Sequence, residues 1–164
     1  MPIRHAALPD LQEIVSIYNA SIPGRMATAD LAPVTVAERE PWFADFSPGR
    51  RPLWVYCEES EPTPLAWLSL RSFYGRSAYD QTVEVGIYTA PLAQRRGYGR
   101  ALLNHALHET PCLGIKTILA FTFGHNAPSL NLFRSAAFAE WGKLPAVARL
   151  DDVRRDLVIL GKAM

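Results

Sequence analysis

The chain is expected to fold as one α/β domain around a mixed sheet, and three observations carry that expectation. Apolar spacing switches repeatedly between period two and period 3.6, giving the order β-α-α-β-β-β-α-β-α-β-β. The length, 164 residues, suits one domain. The composition, 49% hydrophobic and 20% charged, is enough to fill a core. No repeat, low-complexity tract or linker divides the sequence, so residues 1–164 are read as a single unit.

The elements follow in order. Residues 3–7 form a short edge strand. Pro9 and Asp10 then open a helix whose apolar positions Leu11, Ile14, Val15 and Tyr18 recur at i, i+3, i+4 and i+7. Pro23, Gly24 and Pro33 break residues 21–33 into a loop. Thr35 and Glu38 make a capping box for a second helix running towards Phe46, which Pro41 should kink or divide. Residues 53–58 and 65–72 read as a hairpin around a polar, proline-bearing turn, residues 59–64. Residues 82–89 are a third run rich in β-branched and aromatic side chains. A helix carrying Ala101, Leu102, His105, Ala106 and Glu109 is stopped by Pro111, and residues 117–123 form the next strand. Asn126 and Pro128 start a last helix through Leu130, Phe133 and Ala137. Residues 139–144 and 156–160 are the final strands. Trp42, Phe43 and Trp67 are read as core or dimer-face aromatics.

Charge and cysteine content exclude several classes. Net charge is +1, which gives no basic field for nucleic acid. The longest apolar runs are too short to span a bilayer, and the N-terminus has no signal-peptide core, so a cytoplasmic protein without a membrane partner is expected. Cys57 and Cys112 fit no metal or redox spacing and are read as reduced, buried thiols. His5, His105, His108 and His125 show no zinc spacing, so no metal is expected.

Function concentrates where the third middle strand meets the following helix. Gln94, Arg95, Arg96, Gly97, Tyr98, Gly99, Arg100 and Ala101 form a glycine-bearing turn that opens a helix. The first N–H groups of a helix lack partners and the helix dipole favours an anion there. Glycines let backbone approach a ligand closely. The turn has neither the Gly-Lys-Ser/Thr of a P-loop nor the third glycine of a dinucleotide fingerprint, and an ordinary basic turn is the competing reading.

Residues 83–89 (V-E-V-G-I-Y-T), the turn Q-R-R-G-Y-G-R-A-L-L and the later N-A-P-S-L-N-L-F-R-S-A-A-F together resemble the acetyl-CoA-binding core of the GNAT N-acetyltransferases. Gln94, Gly97, Gly99, Asn126 and Phe138 match that family's pattern, while Ala137 stands where a glycine is usual. I-V-S-I-Y-N, P-V-T-V-A-E-R and R-S-A-Y-D-Q-T-V-E narrow the likeness to the phosphinothricin acetyltransferase group.

The resemblance implies an α/β fold of GNAT type, one domain with a central, mixed, mostly antiparallel twisted sheet flanked by helices. It implies acetyl-CoA as acetyl donor, a small-molecule amine as acceptor and a homodimer. Amides of Arg96, Gly97, Tyr98, Gly99 and Arg100 would cradle the pyrophosphate, with Arg95 or Arg100 offsetting charge. Ile87, Tyr88 and Thr89 would pair with the pantetheine arm, and an N–H there would polarise the thioester carbonyl. Asn126 and Ser129 would contact the cofactor, and Phe133 would pack against it or the core. Many relatives carry a tyrosine acid where Phe133 stands, so an acid is dispensable here or is water or Tyr88.

Glu84 matches the group's base and shares a strand face with Tyr88, although a strand glutamate can equally face solvent or pair with Arg71. Arg71, Phe73, Arg76, Ser77 and Tyr79 resemble the acceptor loop, where an arginine fork suits a carboxylate or phosphinate. Ala27, Thr28 and Ala29 belong to a loop able to close over the site, and residues 149–155 depart from the group's usual histidine- and aromatic-bearing segment. Alternatives in view are a protein or peptide N-acetyltransferase, a non-catalytic acyl-CoA-binding module and a nucleotide-binding protein.

Overall fold

Among the described residues seven strands pair into one sheet in the order β1-β2-β3-β4-β5-β7-β6. The computed structural model describes residues 2–164. The strands are β1 (Ile3–His5), β2 (Leu53–Glu58), β3 (Glu61–Ser72), β4 (Thr82–Thr89), β5 (Thr117–Phe123), β6 (Ala139–Leu150) and β7 (Val153–Ala163). The helices are α1 (Leu11–Ser21), α2 (Val36–Ala44), α3 (Tyr98–Glu109) and α4 (Ala127–Ser135). Only β4 and β5 run parallel, joined by the α3 crossover; every other pair is antiparallel. No helix among the described residues is long and apolar enough to cross a membrane.

Both sheet faces are covered. On one face Leu68, Leu70, Val83 and Val85 pack with Leu102, Leu103 and Ala106 of α3 and with Leu130 and Phe133 of α4. On the other, Val55 and Trp67 pack under Ile14, Ile17 and Tyr18 of α1. Each such buried side chain contributes roughly 1.5–3 kcal/mol of transfer free energy. Strand alternation therefore sends successive β3 and β4 residues to opposite cores, and the same alternation aims the site residues.

Local chemistry sets the ends. The capping box at α2 forms: Thr35 Oγ1 accepts from the Glu38 N–H at 3.2 Å, and Glu38 Oε2 accepts from the Thr35 N–H at 2.7 Å. Pro41 lies inside α2 without dividing it, and the helix stops at Ala44. The first hairpin turn is shorter than expected because β3 begins at Glu61. Pro62 and Pro64 are tolerated there because β3 runs past the last β4 pair, Ala66 with Thr89, so no ladder bond to β4 is lost.

The end of α4 and the C-terminal hairpin depart most from expectation. α4 ends at Ser135, and Ala137, expected to be helical, has φ 62°. The Phe138 N–H bonds the Phe133 carbonyl (3.1 Å) and the Ala137 N–H bonds the Arg134 carbonyl (3.0 Å), a Schellman ending. Strands β6 and β7 are far longer than residues 139–144 and 156–160. A bulge between Leu144 and Ala148, with Ala146 at φ 53°, interrupts the alternation that would have revealed them. Asp156 faces the bulge and accepts from the Ala146 N–H at 2.8 Å. Cys57 is buried as expected, but Cys112 is exposed in the turn after α3; neither forms a disulfide.

Candidate active site

Strands β4 and β5 pair only from Thr82 to Glu84 against Thr117 to Leu119. Beyond Glu84, β4 keeps β3 as its neighbour and parts from β5, leaving its other edge without a strand from Val85 to Thr89. A cleft of about 1280 Å³ occupies this gap and reaches both faces of the sheet. Ile87, Tyr88, Thr89, Gln94, Arg95, Gly97, Gly99, Arg100, Asn126, Ser129 and Phe133 all line it, as do Glu84 and Arg71.

The α3 end of the cleft is built for an anion. Arg95 and Gly97 take left-handed conformations (φ 62° and 86°), which turns successive amides inward. Gly97 caps α3, and the first helical bond is Ala101 N–H to the Gly97 carbonyl at 2.9 Å, so the amides of Tyr98, Gly99 and Arg100 have no partner within the helix. Arg95 and Arg100 line the cleft and, among the described residues, have no ion-pair partner. A Cβ at Gly99 would meet Ile87, Leu132 and Thr89 at 3.6–3.8 Å, ordinary packing distances. The protein's own packing therefore does not demand glycine there; an unobstructed approach to the β4–α3 gap does. These residues fit a pyrophosphate with a narrow arm running along β4.

Three residues of the turn point elsewhere. Arg96 lies 3.2 Å from Glu58 and over the Tyr98 ring, while the Tyr98 hydroxyl donates to Glu58 and its ring stacks on Tyr56 at 4.2 Å. The Arg96, Tyr98 and Ala101 side chains are absent from the cleft lining, which leaves their backbone amides as what they can offer a ligand.

The other end carries Arg71, Glu84 and Tyr88. Antiparallel register places Trp67 opposite Tyr88, Ser69 opposite Gly86 and Arg71 opposite Glu84, all on one face. Arg71 and Glu84 form an ion pair at 2.9 Å with side chains 46% and 30% exposed. Glu84 is thus a solvent-reachable, paired carboxylate rather than a group sealed in an apolar strand. Trp67 stacks on Tyr88 at 4.6 Å. Burial pushes the Tyr88 phenol well above its usual range, and its hydroxyl donates to the Ala27 carbonyl at 3.2 Å, so Tyr88 holds its proton. Phe133, 4% exposed, packs edge-on to Phe138 within the core.

Residues 22–34 fold over this end and, besides their bonds to Tyr18, Asn19, Arg39 and Tyr88, are latched at three points beyond β5. His125 Nε2 lies 2.8 Å from the Arg25 carbonyl, Asn126 Nδ2 donates to the Met26 carbonyl at 3.0 Å, and Arg25 pairs with Asp151 at 3.0 Å. Asn126 also caps α4, its Oδ1 accepting from the Ser129 N–H at 3.2 Å. Residues 149–155 are the β6–β7 hairpin tip, which meets this loop through Asp151. Of the expected acceptor residues, only Arg71 lines the cleft. Phe73 sits behind it, 6.3 Å from Phe121, and Tyr79 packs on Phe73 at 5.6 Å; Arg76 and Ser77 are exposed on the loop outside. Sequence reading missed Ser69, Asp30 and Arg39, which do line the cleft. No group of His, Cys, Asp or Glu among the described residues could hold a metal ion.

A family model described as "Acetyltransferase (GNAT) family" matches residues 12–138. YwnH of Bacillus subtilis strain 168, provisionally named a phosphinothricin acetyltransferase, is 46% identical over 164 residues, covering 100% of this chain and 99% of its own. An L-methionine sulfoximine/L-methionine sulfone acetyltransferase of Pseudomonas aeruginosa PAO1 is 26% identical over 147 residues, covering 90% of this chain and 85% of its own. The crystal structure of a GNAT superfamily phosphinothricin acetyltransferase from Sinorhizobium meliloti in complex with acetyl-CoA superposes with TM-score 0.93 at 26% identity, covering 100% of this chain and 89% of the other.

Proposed function

The chain belongs to the GNAT acetyltransferase family, an acetyl-CoA-dependent acyltransferase by that membership, and from this we propose that it acetylates the primary amine of a small amino acid or analogue of the phosphinothricin or methionine sulfoximine kind. The observation that carries this reading is the Arg71–Glu84 pair on the cleft floor, beside the bare edge of β4.

Acetyl-CoA supplies an activated acetyl thioester. The chain's residues supply position and proton transfer. Amides at the start of α3, with Arg95 and Arg100, hold the pyrophosphate. The free edge of β4 from Ile87 to Thr89 would align the arm, and a backbone N–H of that edge would polarise the thioester carbonyl. An amine is mostly protonated at neutral pH, so a base must remove a proton before attack. Glu84 takes that proton, directly or through a water, while Arg71 holds the acceptor's carboxylate beside it. Phe133 has no proton to give, and Tyr88 keeps its own, so the thiolate leaves without a protein acid. The aromatic floor of Trp67 and Tyr88 under the latched loop favours a compact acceptor over a peptide.

Calorimetric titration with acetyl-CoA tests the reading at its base. Micromolar-range binding is expected for the wild type and for Glu84→Gln alike, with turnover lost only in the variant; absence of binding by the wild type removes the reading. In this account the enzyme is a homodimer, consistent with Trp141, Leu144 and Val147 standing exposed on edge strand β6. Light scattering that gives the mass of one chain at working concentration would refute that part.

A further inference from the structure

We propose that Arg39 reads an anionic group on the acceptor's side chain, making it a specificity-determining residue separate from Arg71. The inference rests on the acetyl-transfer reading above and names the acceptor class more narrowly.

Arg39 lies on α2, and its guanidinium sits over the Tyr18 ring at 4.5 Å and near the Trp42 ring at 5.3 Å. Its side chain is 21% exposed and lines the cleft. One bond holds it, to Asp30 Oδ2 at 3.4 Å, and that carboxylate oxygen also accepts the Tyr18 hydroxyl. A guanidinium has five donors. Four of Arg39's N–H groups therefore have no protein acceptor among the described residues, and neither terminal nitrogen nor Nε is among the sealed, unpartnered atoms. The unpaired nitrogens are thus open to solvent, on a residue that lines the cleft. A flat cation stacked on aromatic rings with donors unspent is a preorganised fork for a carboxylate, phosphinate or sulfonate oxygen pair.

Register separates the two arginines. The acceptor's amine belongs beside Glu84, and its α-carboxylate is bonded to the same carbon, so Arg71 at 2.9 Å from Glu84 takes it. Arg39 lies over Tyr18, which stands 5.1 Å from Tyr88 and 6.5 Å from Trp67. Trp67 is four residues along β3 from Arg71, so Arg39, which reaches Trp67 through Tyr18, lies farther along the cleft from Glu84 than Arg71 does. The group that reaches Arg39 is therefore the far end of the acceptor's side chain, carried across the Trp67–Tyr88 floor on a short aliphatic spacer.

Steady-state kinetics on the full chain decide it, comparing phosphinothricin, whose side chain ends in an anion, with methionine sulfone, whose side chain is neutral. For Arg39→Met, kcat/KM for phosphinothricin relative to methionine sulfone should fall on the order of tenfold to a hundredfold, mostly through KM, as loss of a charge-assisted hydrogen bond implies. Arg39→Lys should restore part of the ratio. Asp30→Asn, which removes the competing carboxylate, should raise it, and this variant decides the matter should Arg39→Met fail to fold. An unchanged ratio in these variants overturns the proposal, because a purely supporting arginine would weaken both acceptors together. A wild type that releases thiol with another amine but acetylates neither compound also overturns it while leaving the acetyl-transfer reading intact; no thiol release with any amine removes both.

Discussion

In the proposed reaction Glu84, paired across the strands with Arg71, takes the amine's proton, and that role predicts a pH signature. In Glu84→Gln the amine must lose its proton to bulk water, so kcat/KM should fall by about 10²–10⁴ near neutral pH, the usual worth of a positioned base. The deficit should shrink as pH rises and the free amine becomes abundant. A pH–rate profile parallel to that of the wild type would take Glu84 out of proton transfer. Strand alternation was enough to put Glu84 and Tyr88 on one face from sequence, and Arg71 was a named partner. What alternation could not give was the register that sets Arg71 opposite Glu84, because that depends on how the loop after Ser72 returns the chain. Arg39 was hidden for a different reason. It sits in no motif, and its meaning comes from Tyr18 and Asp30, which are distant along the chain. The only local hint was Trp42 one helical turn on.

Element boundaries were legible wherever a terminus has its own side-chain chemistry and obscure wherever backbone strain decides. The Thr35–Glu38 box placed the start of α2, and Pro111 placed the end of α3. The end of α4 was misjudged because Ala137 looks helical by composition yet occupies the left-handed position of a Schellman ending, where glycine is favoured. A left-handed alanine costs roughly 1–2 kcal/mol, part of which glycine's own entropy cancels. Ala137→Gly should therefore stabilise the protein by about 1 kcal/mol, seen as a higher urea midpoint with unchanged slope. A lower midpoint would show that the alanine methyl packs usefully enough to outweigh the strain. The β6–β7 hairpin was underestimated for a related reason: three residues bulge between Leu144 and Ala148, so the apolar period slips, and Asp156 rather than a sheet ladder holds the bulge.

At the scale of the molecule, the site exists because one parallel pair in a mostly antiparallel sheet comes apart. The sequence order foretold the mixed sheet, and the glycine turn foretold where unpaired helical amides border the cleft. The gap between β4 and β5, a product of how far two strands stay in register, was not visible in either. The fold that holds this gap open is also anchored at its far edge, where Asp10 takes two bonds from Arg4 (2.6 and 2.8 Å) and one from the Ala7 N–H (2.7 Å). Burial alone would raise the Asp10 carboxyl, but the Arg4 and Ala7 bonds outweigh it and hold it below the usual carboxylate range. Its stabilisation is therefore complete above the unfolded value, near pH 4, and is lost as pH falls through the lower folded value. Asp10→Asn should be about 1.5–3 kcal/mol less stable than wild type at pH 7, with the gap closing below pH 4. A gap that stays constant on acidification would contradict the assignment.

The central claim is that the cleft between β4 and β5 moves an acetyl group from acetyl-CoA to a small amino-acid amine, and thiol release measures that directly. Wild-type protein with acetyl-CoA should release coenzyme A thiol only when phosphinothricin, methionine sulfoximine or a related amino acid is added, in step with the appearance of the N-acetyl product. Tight acetyl-CoA binding with no thiol release across an acceptor panel would contradict the account and leave an acyl-CoA-binding module in its place.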